Sequence, residues 1–286
     1  GAGFIGSKFV EHIYKTTEYH ITVLDKLTYA ADSDRLPKHI KEDAERFNLV
    51  VGDICDITAS DLPSLNYIVN FAAESHVDNS IQDGRPFVRS NIEGVFNLLE
   101  IAKMQPKLRK FVQVSTDEVY GDMEDLRGSP EASESFSLKP SSYYSATKAA
   151  AEMLVIAAHR TFNLPYLITR CCNNFGPDQH AEKFLPTVFE AMRNNRPIPV
   201  YGDGLQIREW IHVSDHVSIM ANLMHSSYNA ETYNIGSGFS YTNLEVIEKI
   251  SEELGIPANI EYVADRLGHD RKYALDCKKL KAYGGD

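Results

Sequence analysis

Along the first part of the chain, apolar residues alternate between helical spacing and short runs rich in β-branched side chains. This pattern predicts helices over residues 4–14, 34–46, 86–104 and 144–162, and strands over residues 20–25, 47–51, 67–73, 110–115 and 166–170. A Pro-, Ser- and Glu-rich segment over residues 128–142 predicts a loop. Strands that alternate with helices favour a parallel sheet covered on both faces. We therefore expect an α/β fold built on a doubly wound parallel sheet.

The pattern changes beyond Asn173, where the predicted elements become shorter. Helices are predicted near residues 185–194, 215–226 and 244–254, an extended segment over 197–201, and a strand over 260–263. This change predicts a first domain over residues 1–172 and a smaller C-terminal α/β domain over residues 173–286. We expect some of the chain in the second region to cross back to the first domain.

Composition restricts the classes of function. The 286 residues include 29 Lys and Arg against 40 Asp and Glu, a formal net charge of -11. Nucleic-acid-binding proteins usually carry a basic surface, so this balance argues against DNA and RNA as partners. No apolar run approaches the roughly 20 residues of a membrane span. Four cysteines without CxxC spacing predict a reduced, cytoplasmic protein.

The chain opens with three glycines in G-x-G-x-x-G spacing, at Gly1, Gly3 and Gly6. Missing side chains at these positions let the backbone turn tightly and approach a pyrophosphate. Asp25 follows at the end of a predicted strand, where a carboxylate binds a ribose diol and disfavours a 2'-phosphate. Together these residues predict NAD rather than NADP, although Asp25 alone also fits a solvated turn. Asp53, at the next strand end, fits either an adenine contact or a helix cap.

Tyr144 and Lys148 lie four residues apart in a predicted helix and therefore share one face. An ammonium group beside a phenol can lower the phenol pKa from its usual value of about 10, which makes Tyr144 a usable base. The same spacing also arises by chance in many helices.

A hydroxyl and two adjacent carboxylates follow a predicted strand in the segment Ser115-Thr116-Asp117-Glu118. Open α/β sheets bind their ligands at the carboxyl ends of their strands. Two neighbouring acids in one crevice repel each other, so one can stay protonated while the other is ionised, an acid beside a base. The alternative interpretation is a polar turn.

Together these segments resemble the extended short-chain dehydrogenase/reductase superfamily and, within it, the dTDP-glucose 4,6-dehydratases. The resemblance covers nearly the whole chain. It rests on GAGFIGS at Gly1, LDKLTYA at Leu24, GDICD at Gly52, NFAAESHVDNSI at Asn70, STDEVYG at Ser115, YSATK at Tyr144, TRCCNNFGP at Thr169, EKFLP at Glu182, PVYGDG at Pro199, REWIHVSDH at Arg208, YNIG at Tyr233 and DRLGHDRKYA at Asp265. The Asp-Glu pair after Thr116 is the mark that best distinguishes dehydratases from other members.

The resemblance implies a Rossmann domain that binds NAD and a smaller domain that binds a nucleotide sugar. It also implies the dehydration of dTDP-glucose to dTDP-4-keto-6-deoxyglucose. Tyr144, with Lys148 and Thr116, would act on the sugar 4-hydroxyl while a hydride passes from carbon 4 to NAD. Glu118 would take the proton from carbon 5 and Asp117 would protonate the leaving 6-hydroxyl, before the hydride returns to carbon 6.

The resemblance also assigns binding residues. NAD would be held by Gly3, Phe4, Ile5, Gly6, Asp25, Lys26, Leu27, Thr28, Asp53, Ile54, Ala72, Ala73, Ser90, Tyr144, Lys148 and Asn174. The nucleotide sugar would be held by Ser75, Thr116, Asp117, Glu118, Asn173, Lys183, Phe184, Pro199, Val200, Tyr201, Arg208, Asn243, Asp265, Arg266, Leu267, Gly268 and His269. Four of the latter, Lys183, Arg208, Arg266 and His269, would form a basic site for the diphosphate, unless Arg208 and Arg266 are surface charges.

The resemblance carries three further expectations. Family members are typically homodimers that pair helices such as residues 87–104 and 144–162. The superfamily pattern has a strand and one more glycine ahead of Gly1, so we expect both ends of the chain to be trimmed and the 286-residue chain to be poorly stable. No metal is expected, and His76, His212 and His216 are expected to be structural.

The sequence departs from the usual family pattern at Asn79, Tyr143, Leu267 and residues 178–181. None of these positions removes a reacting group, but residues 178–181 border the expected sugar site. Three alternatives therefore stay open. The first is a 4,6-dehydratase of a UDP- or GDP-linked sugar, and the second is a 4-epimerase or decarboxylase, which should lack the Asp117 and Glu118 pair. The third is a non-catalytic NAD-binding protein.

Overall fold

The structure, a computed structural model, describes residues 1–124 and 131–284. Helices and strands alternate along it. The elements before Cys172 are α1 (Phe4–Thr16), β1 (Ile21–Asp25), α2 (Lys38–Lys41), β2 (Phe47–Val51), β3 (Tyr67–Asn70), α3 (Val77–Gln82), α4 (Arg85–Val88), α5 (Gly94–Lys103), β4 (Lys110–Thr116), α6 (Tyr143–Phe162) and β5 (Tyr166–Cys171). Those after it are β6 (Asn173–Phe175), α7 (Phe184–Arg193), β7 (Ile198–Tyr201), β8 (Ile207–His212), α8 (Val213–His225), β9 (Glu231–Ile235), β10 (Ser240–Thr242), α9 (Asn243–Leu254), β11 (Ile260–Val263) and α10 (Lys278–Tyr283).

The centre of the fold is a parallel sheet in the order β3-β4-β5-β9. Every residue of β4 and β5 is buried, as expected for strands covered on both faces. One face packs against α1 and α8 through residues such as Phe9 and Met220, and the other against α5 and α6 through residues such as Leu98 and Val155. The predicted doubly wound parallel sheet is therefore confirmed. A second parallel pair, β1 with β2, forms a separate two-stranded sheet.

The C-terminal region has smaller sheets of its own. β8 pairs with β6 and β10, and β7 pairs with β11. Val188, Ile198, Val200 and Ile247 form a separate small core there. Chain from this region also returns to the central sheet, because β9 pairs with β5. The division at residue 172 stays a prediction.

At two places the observed elements differ from the predicted ones for local chemical reasons. The single helix predicted over residues 34–46 was wrong: a 3-10 turn at Ser33–Arg35 is separated from the short α2 by Pro37, which has no N–H and forces the preceding residue to be extended. The predicted strand over 67–73 ends at Asn70, whose side-chain oxygen accepts from the Ala72 N–H and turns the chain.

Two other predictions changed in their details. The helix predicted over residues 86–104 is observed as α4 and α5, joined by a π-helical turn at Arg89–Glu93. Residues 128–130 of the predicted loop lie outside the described part of the chain. Within residues 1–124 and 131–284, no helix has both the length and the apolarity that crossing a bilayer requires.

Candidate active site

The segment after β4 forms a tight polar turn at the carboxyl edge of the central sheet. A 3-10 helix, Asp117–Tyr120, begins at Thr116, whose hydroxyl oxygen accepts from the Glu118 N–H at 3.3 Å and whose hydroxyl donates to Asp117 Oδ1 at 3.1 Å. The turn ends at Gly121 with φ +76°, and a Cβ there would lie 1.9 Å from the carbonyl oxygen of Lys139. Only glycine fits this position, so the path of the segment is fixed.

The two carboxylates of this turn are in different environments. Asp117 is 2% exposed and its Oδ2 has no hydrogen-bond partner within the described residues, whereas Glu118 is half-buried. Burial, together with repulsion from Glu118, raises the pKa of Asp117 to about 8. Burial also raises the pKa of Glu118, but the cations Arg208, Arg266 and Lys183 oppose that rise. Asp117 is therefore a neutral acid at neutral pH.

Tyr144 and Lys148 lie in the first two turns of α6. The helix begins at Ser142, whose hydroxyl oxygen accepts from the Ser145 N–H at 3.1 Å while the Ser145 hydroxyl oxygen accepts from the Ser142 N–H. Tyr144 is 9% exposed and Lys148 is 5% exposed. The pair predicted from the four-residue spacing is thus held in a buried and well-anchored part of the helix.

The predicted effect of Lys148 on Tyr144 was wrong for the protein alone. Lys148 Nζ donates to the Val114 carbonyl at 2.6 Å. Burial raises the pKa of Tyr144 well above its ordinary value, and the nearby carboxylates of Glu118 and Asp117 raise it further. Burial likewise lowers the pKa of Lys148 to about 8. Desolvation outweighs the attraction that the spacing suggests, because burial penalises the charged form of each group.

The glycine-rich turn precedes α1 and has room for a ligand. A Cβ at Gly6 would lie 2.9 Å from the carbonyl oxygen of Gly1, so the helix can approach the turn only with glycine there. Among the described residues, a Cβ at Gly3 would meet nothing within 4 Å, and no side chain caps the N-terminus of α1. Free N–H groups at a helix N-terminus beside an open cradle are suited to a pyrophosphate.

Asp25 lies beside this turn at the end of β1. Its Oδ2 accepts from the Ala2 N–H at 2.8 Å and its Oδ1 from the Leu27 N–H at 2.9 Å. Asp53 follows β2 and binds Lys26 Nζ at 2.7 Å, while its other oxygen accepts from the Cys55 N–H. Asp53 therefore stabilises the turn that follows β2; no helix begins there in the described part of the chain, so the helix-cap alternative was wrong and the adenine contact stays a prediction. Burial alone would raise the pKa of Asp53, yet these bonds hold it at about 2.

The remaining predicted cofactor residues differ in their exposure. Lys26, Leu27 and Thr28 are exposed, and Phe4, Ile5, Ala72, Ala73 and Ser90 are half-buried. Ile54 is packed in the core beside Gly94, so only its main chain can face a ligand. Asn174 is buried, and its Oδ1 is bonded to the Nδ1 of His216 at 2.7 Å.

Three of the predicted basic residues, Lys183, Arg208 and Arg266, lie close enough to Glu118 for their positive charges to oppose the rise of its pKa. Arg208 is 7% exposed and donates to the carbonyls of Ile207 and Asp270 at 2.9 and 2.8 Å. Its interpretation as a surface charge was wrong. Asp265 accepts from the Arg266 N–H at 2.9 Å and lies 2.6 Å from the Nδ1 of His269.

Other predicted substrate residues lie on the C-terminal side of this cluster or at its rim. Asn173, Phe184, Asn243 and His269 are half-buried, and Ser75, Pro199, Tyr201, Leu267 and Gly268 are exposed. Val200 is 1% exposed and belongs to the small C-terminal core, so a ligand can meet only its main chain. The histidines that were expected to be structural have polar partners: His216 binds Asn174, His212 binds Ser214, and His76 faces Glu182.

Sequence reasoning missed several residues that hold these groups. Tyr273 donates to Asp270 Oδ2 at 2.6 Å, and its ring lies 4.3 Å from the Arg208 guanidinium. Asn91 donates to the Glu74 carbonyl and the Thr147 hydroxyl, which joins the turn after β3 to α6. The available signal was a polar or charged residue inside an otherwise apolar element, since such a residue needs a buried partner.

Comparison with known proteins identifies the family. The family described as GDP-mannose 4,6 dehydratase matches residues 1–283. The dTDP-glucose 4,6-dehydratase of Haemophilus influenzae is 40% identical over 306 residues, which cover 99% of this chain and 89% of that protein. The chain belongs to the nucleotide-sugar 4,6-dehydratase family. The resemblance inferred from the sequence motifs is thereby confirmed.

This dehydratase is similar to two further proteins. The low-salt glycan biosynthesis protein Agl12 of Haloferax volcanii is 45% identical over 99% of this chain and 90% of its own length. The crystal structure of DesIV, a dTDP-glucose 4,6-dehydratase from Streptomyces venezuelae with NAD and TYD bound, superposes with a TM-score of 0.92 at 40% identity. The superposition covers 99% of this chain and 88% of the DesIV chain.

Proposed function

We propose that this dehydratase converts dTDP-glucose to dTDP-4-keto-6-deoxyglucose with NAD as its resident cofactor. The observation that carries the proposal is the arrangement of Thr116, Asp117 and Glu118 at the end of β4, beside Tyr144 of α6. We expect an epimerase or decarboxylase to lack such an acid and base pair at this place. The similarity to dTDP-glucose 4,6-dehydratases at about 40% identity supports the same substrate.

The residues around the glycine-rich turn fit NAD. The uncapped N-terminus of α1 and the open space at Gly3 suit the pyrophosphate, and Asp25 suits a ribose diol. When bound, NAD would supply reversible hydride transfer, which the reaction needs for the oxidation at carbon 4 and the reduction at carbon 6. Tyr144 and Lys148 would lie at the reacting end, and Asn174 would be oriented by His216.

Tyr144 removes the proton of the sugar 4-hydroxyl during the first oxidation. Its hydroxyl has a raised pKa in the protein alone, so Tyr144 must first release its own proton to solvent before it can accept the sugar proton. The Lys148 ammonium and the bound cofactor would favour that phenolate. Thr116 holds the same sugar hydroxyl by a hydrogen bond. The ketone that forms at carbon 4 acidifies the hydrogen on carbon 5.

Glu118 and Asp117 then remove water across carbons 5 and 6. Glu118 takes the proton from carbon 5, and the electrons of that C–H bond form the double bond as the 6-hydroxyl leaves. Asp117 donates its proton to that hydroxyl, which departs as water, and Glu118 gives its proton back to carbon 5 when the hydride is delivered to carbon 6. The pKa of about 8 at Asp117, a result of burial, keeps this proton available at neutral pH.

The acidic chain meets its anionic substrate through a local basic site. Lys183, Arg208, Arg266 and His269 would surround the diphosphate, although Arg266 also lies 3.4 Å from Asp78. Three of the five N–H groups of Arg208 already bond to main-chain carbonyls, which fixes the guanidinium and leaves two for phosphate oxygens.

We also propose a homodimer in the cytoplasm. Phe96, Met153 and Phe162 of α5 and α6 are 54%, 49% and 56% exposed, which is unusual for large apolar side chains on adjacent helices. A second copy that packs the same helices would cover them. All four cysteines are free thiols, which suits a reducing compartment.

A substrate panel tests the proposed specificity. The purified full-length protein is supplied with dTDP-, UDP-, GDP- and CDP-glucose at equal concentration, and the sugar product is identified by mass spectrometry and NMR. We expect the 4-keto-6-deoxy sugar from dTDP-glucose with the highest kcat/KM and no net accumulation of NADH. Faster turnover of another nucleotide would correct the substrate, and a product that keeps its 6-hydroxyl would contradict the dehydratase reaction.

A further inference from the structure

A buried ion pair lies one helical turn beyond Lys148. Glu152 of α6 is 0% exposed and Arg170 of β5 is 4% exposed. Arg170 donates from Nε to both carboxylate oxygens at 3.1 Å and from Nη2 to Oε2 at 2.6 Å. Buried pairs of this kind contribute little net stability because desolvation offsets their attraction. The presence of the pair is therefore better explained by the groups that it positions than by its contribution to stability.

Each member of the pair is hydrogen-bonded next to one end of the segment Thr116-Asp117-Glu118, which begins at the last residue of β4. Ser115, which directly precedes that segment, donates its hydroxyl proton to Glu152 Oε1. Arg170 donates from Nη1 at 2.7 Å to the hydroxyl of Tyr120, two residues after Glu118 in the same 3-10 turn. The ion pair thus joins α6 to both ends of the Thr116-Asp117-Glu118 segment.

Glu152 is a buried acidic neighbour of Lys148 on the same helix. On α6, Lys148 has Tyr144 one turn before it and Glu152 one turn after it, and from β5 it faces Cys171. Burial lowers the pKa of Lys148 to about 8, and Cys171 and Glu152 oppose this. Burial also raises the pKa of Cys171 to about 12, so that thiol is neutral in the working range. Asp117, across the site, is neutral up to about pH 8.

We propose that Glu152 is a positioning residue for the dehydratase reaction: it holds α6 in register with the Thr116-Asp117-Glu118 segment and keeps Lys148 protonated. Arg170 is its partner in the first role, through its hydrogen bonds to both carboxylate oxygens. This proposal rests on the proposed function, since it assigns Glu152 an effect on the oxidation step that Tyr144 and Lys148 carry out.

The test is the pH dependence of the oxidation step in Glu152→Gln. The rate of transient NAD reduction is measured in single turnovers of the NAD-loaded protein with saturating dTDP-glucose. Loss of the carboxylate charge lets Lys148 lose its proton at lower pH, so the alkaline limb of the profile moves down by about 1 pH unit. Glu152→Asp, which keeps the charge, restores the limb.

Two matched variants separate charge from structure. Ser115→Ala and Tyr120→Phe each remove one hydrogen bond to the pair and leave both charges in place. We expect each variant to slow the oxidation less than about tenfold. The alkaline limb of the pH profile should stay where it is in the wild type. An unmoved limb in Glu152→Gln, or equal shifts in all three variants, would overturn the proposal.

Glu152→Gln leaves Arg170 buried without its partner, which destabilises the fold. If this variant does not fold, Glu152→Gln/Arg170→Met removes both charges at once and serves the same test, again with the limb expected at lower pH. Wild-type protein without activity on any nucleotide sugar would instead refute the proposed function, so the two failures are distinguishable.

Discussion

At the scale of single residues, burial decides which groups of the site carry charge. The sequence predicts that adjacent acids differ in protonation, and the structure assigns the neutral state to Asp117 because it is 2% exposed. The sequence also predicts that Lys148 lowers the pKa of Tyr144, and this was wrong because both groups are desolvated. Spacing along a helix shows which groups are neighbours but not how much water each one loses.

Asp117→Asn should stabilise the protein at alkaline pH while abolishing activity. The unfolded chain loses the Asp117 proton near pH 4, whereas the folded protein keeps it to about pH 8. Stability therefore falls as pH rises between these values and stays low above them. Asparagine does not titrate, so we expect Tm to exceed that of the wild type by about 2 °C or more at pH 8, with a smaller difference at pH 5. An equal difference at both pH values would contradict the raised pKa.

Glu118→Gln tests the role of the second carboxylate. An amide cannot take the proton from carbon 5, so exchange of that hydrogen with solvent deuterium should stop while transient NAD reduction stays measurable. Glu124→Gln, an exposed substitution six residues later, serves as the control. Loss of NAD reduction with exchange intact would mean that Glu118 acts in the oxidation instead.

At the scale of elements, the prediction succeeded where local and tertiary signals agree. Helix α6 was predicted within one residue of its observed start because Ser142 caps an Ala-rich sequence. The helix predicted over residues 34–46 was wrong because Pro37 interrupts the helical pattern of charged residues. β9 was not predicted, since Glu231–Ile235 is recognisable as a strand only through its pairing with β5.

Ser142→Ala should weaken both the fold and the chemistry. Loss of the cap costs about 1 kcal/mol and loosens the first turn of α6, which carries Tyr144. Thr242→Ala removes the same kind of capping box from α9 and costs a similar free energy of unfolding. We expect single-turnover NAD reduction at saturating substrate to slow only in Ser142→Ala. Equal slowing in both variants would indicate a general loss of folded protein.

At the scale of the whole molecule, the fold and the place of the candidate site at the carboxyl edge of the sheet could be predicted from repeated strands, the glycine-rich turn and the motifs. The connections between distant segments could not. Tyr120 donates to Asn234 of β9, and Asn234 donates to the Ala132 and Asp276 carbonyls, so three separate stretches of chain support the reacting turn. Such contacts depend on the three-dimensional path and have no periodic signature.

The proposed dimer makes a prediction at this scale. Met153→Glu places a charge at the centre of the exposed apolar face of α5 and α6, so we expect a monomer in sedimentation velocity where the wild type is a dimer. Phe239→Glu, at a position 64% exposed elsewhere on the surface, is the control and should leave the dimer intact. A Met153→Glu protein with unchanged mass in solution would exclude this face as the interface.

The most direct test of the central claim follows one hydrogen atom. dTDP-glucose that carries deuterium on carbon 4 is converted by the protein, and the position of the label in the product is read by NMR. Oxidation at carbon 4, loss of water across carbons 5 and 6, and return of the hydride predict deuterium on carbon 6 of a 4-keto-6-deoxy sugar. Deuterium that returns to carbon 4 of a sugar with its 6-hydroxyl intact would contradict the account.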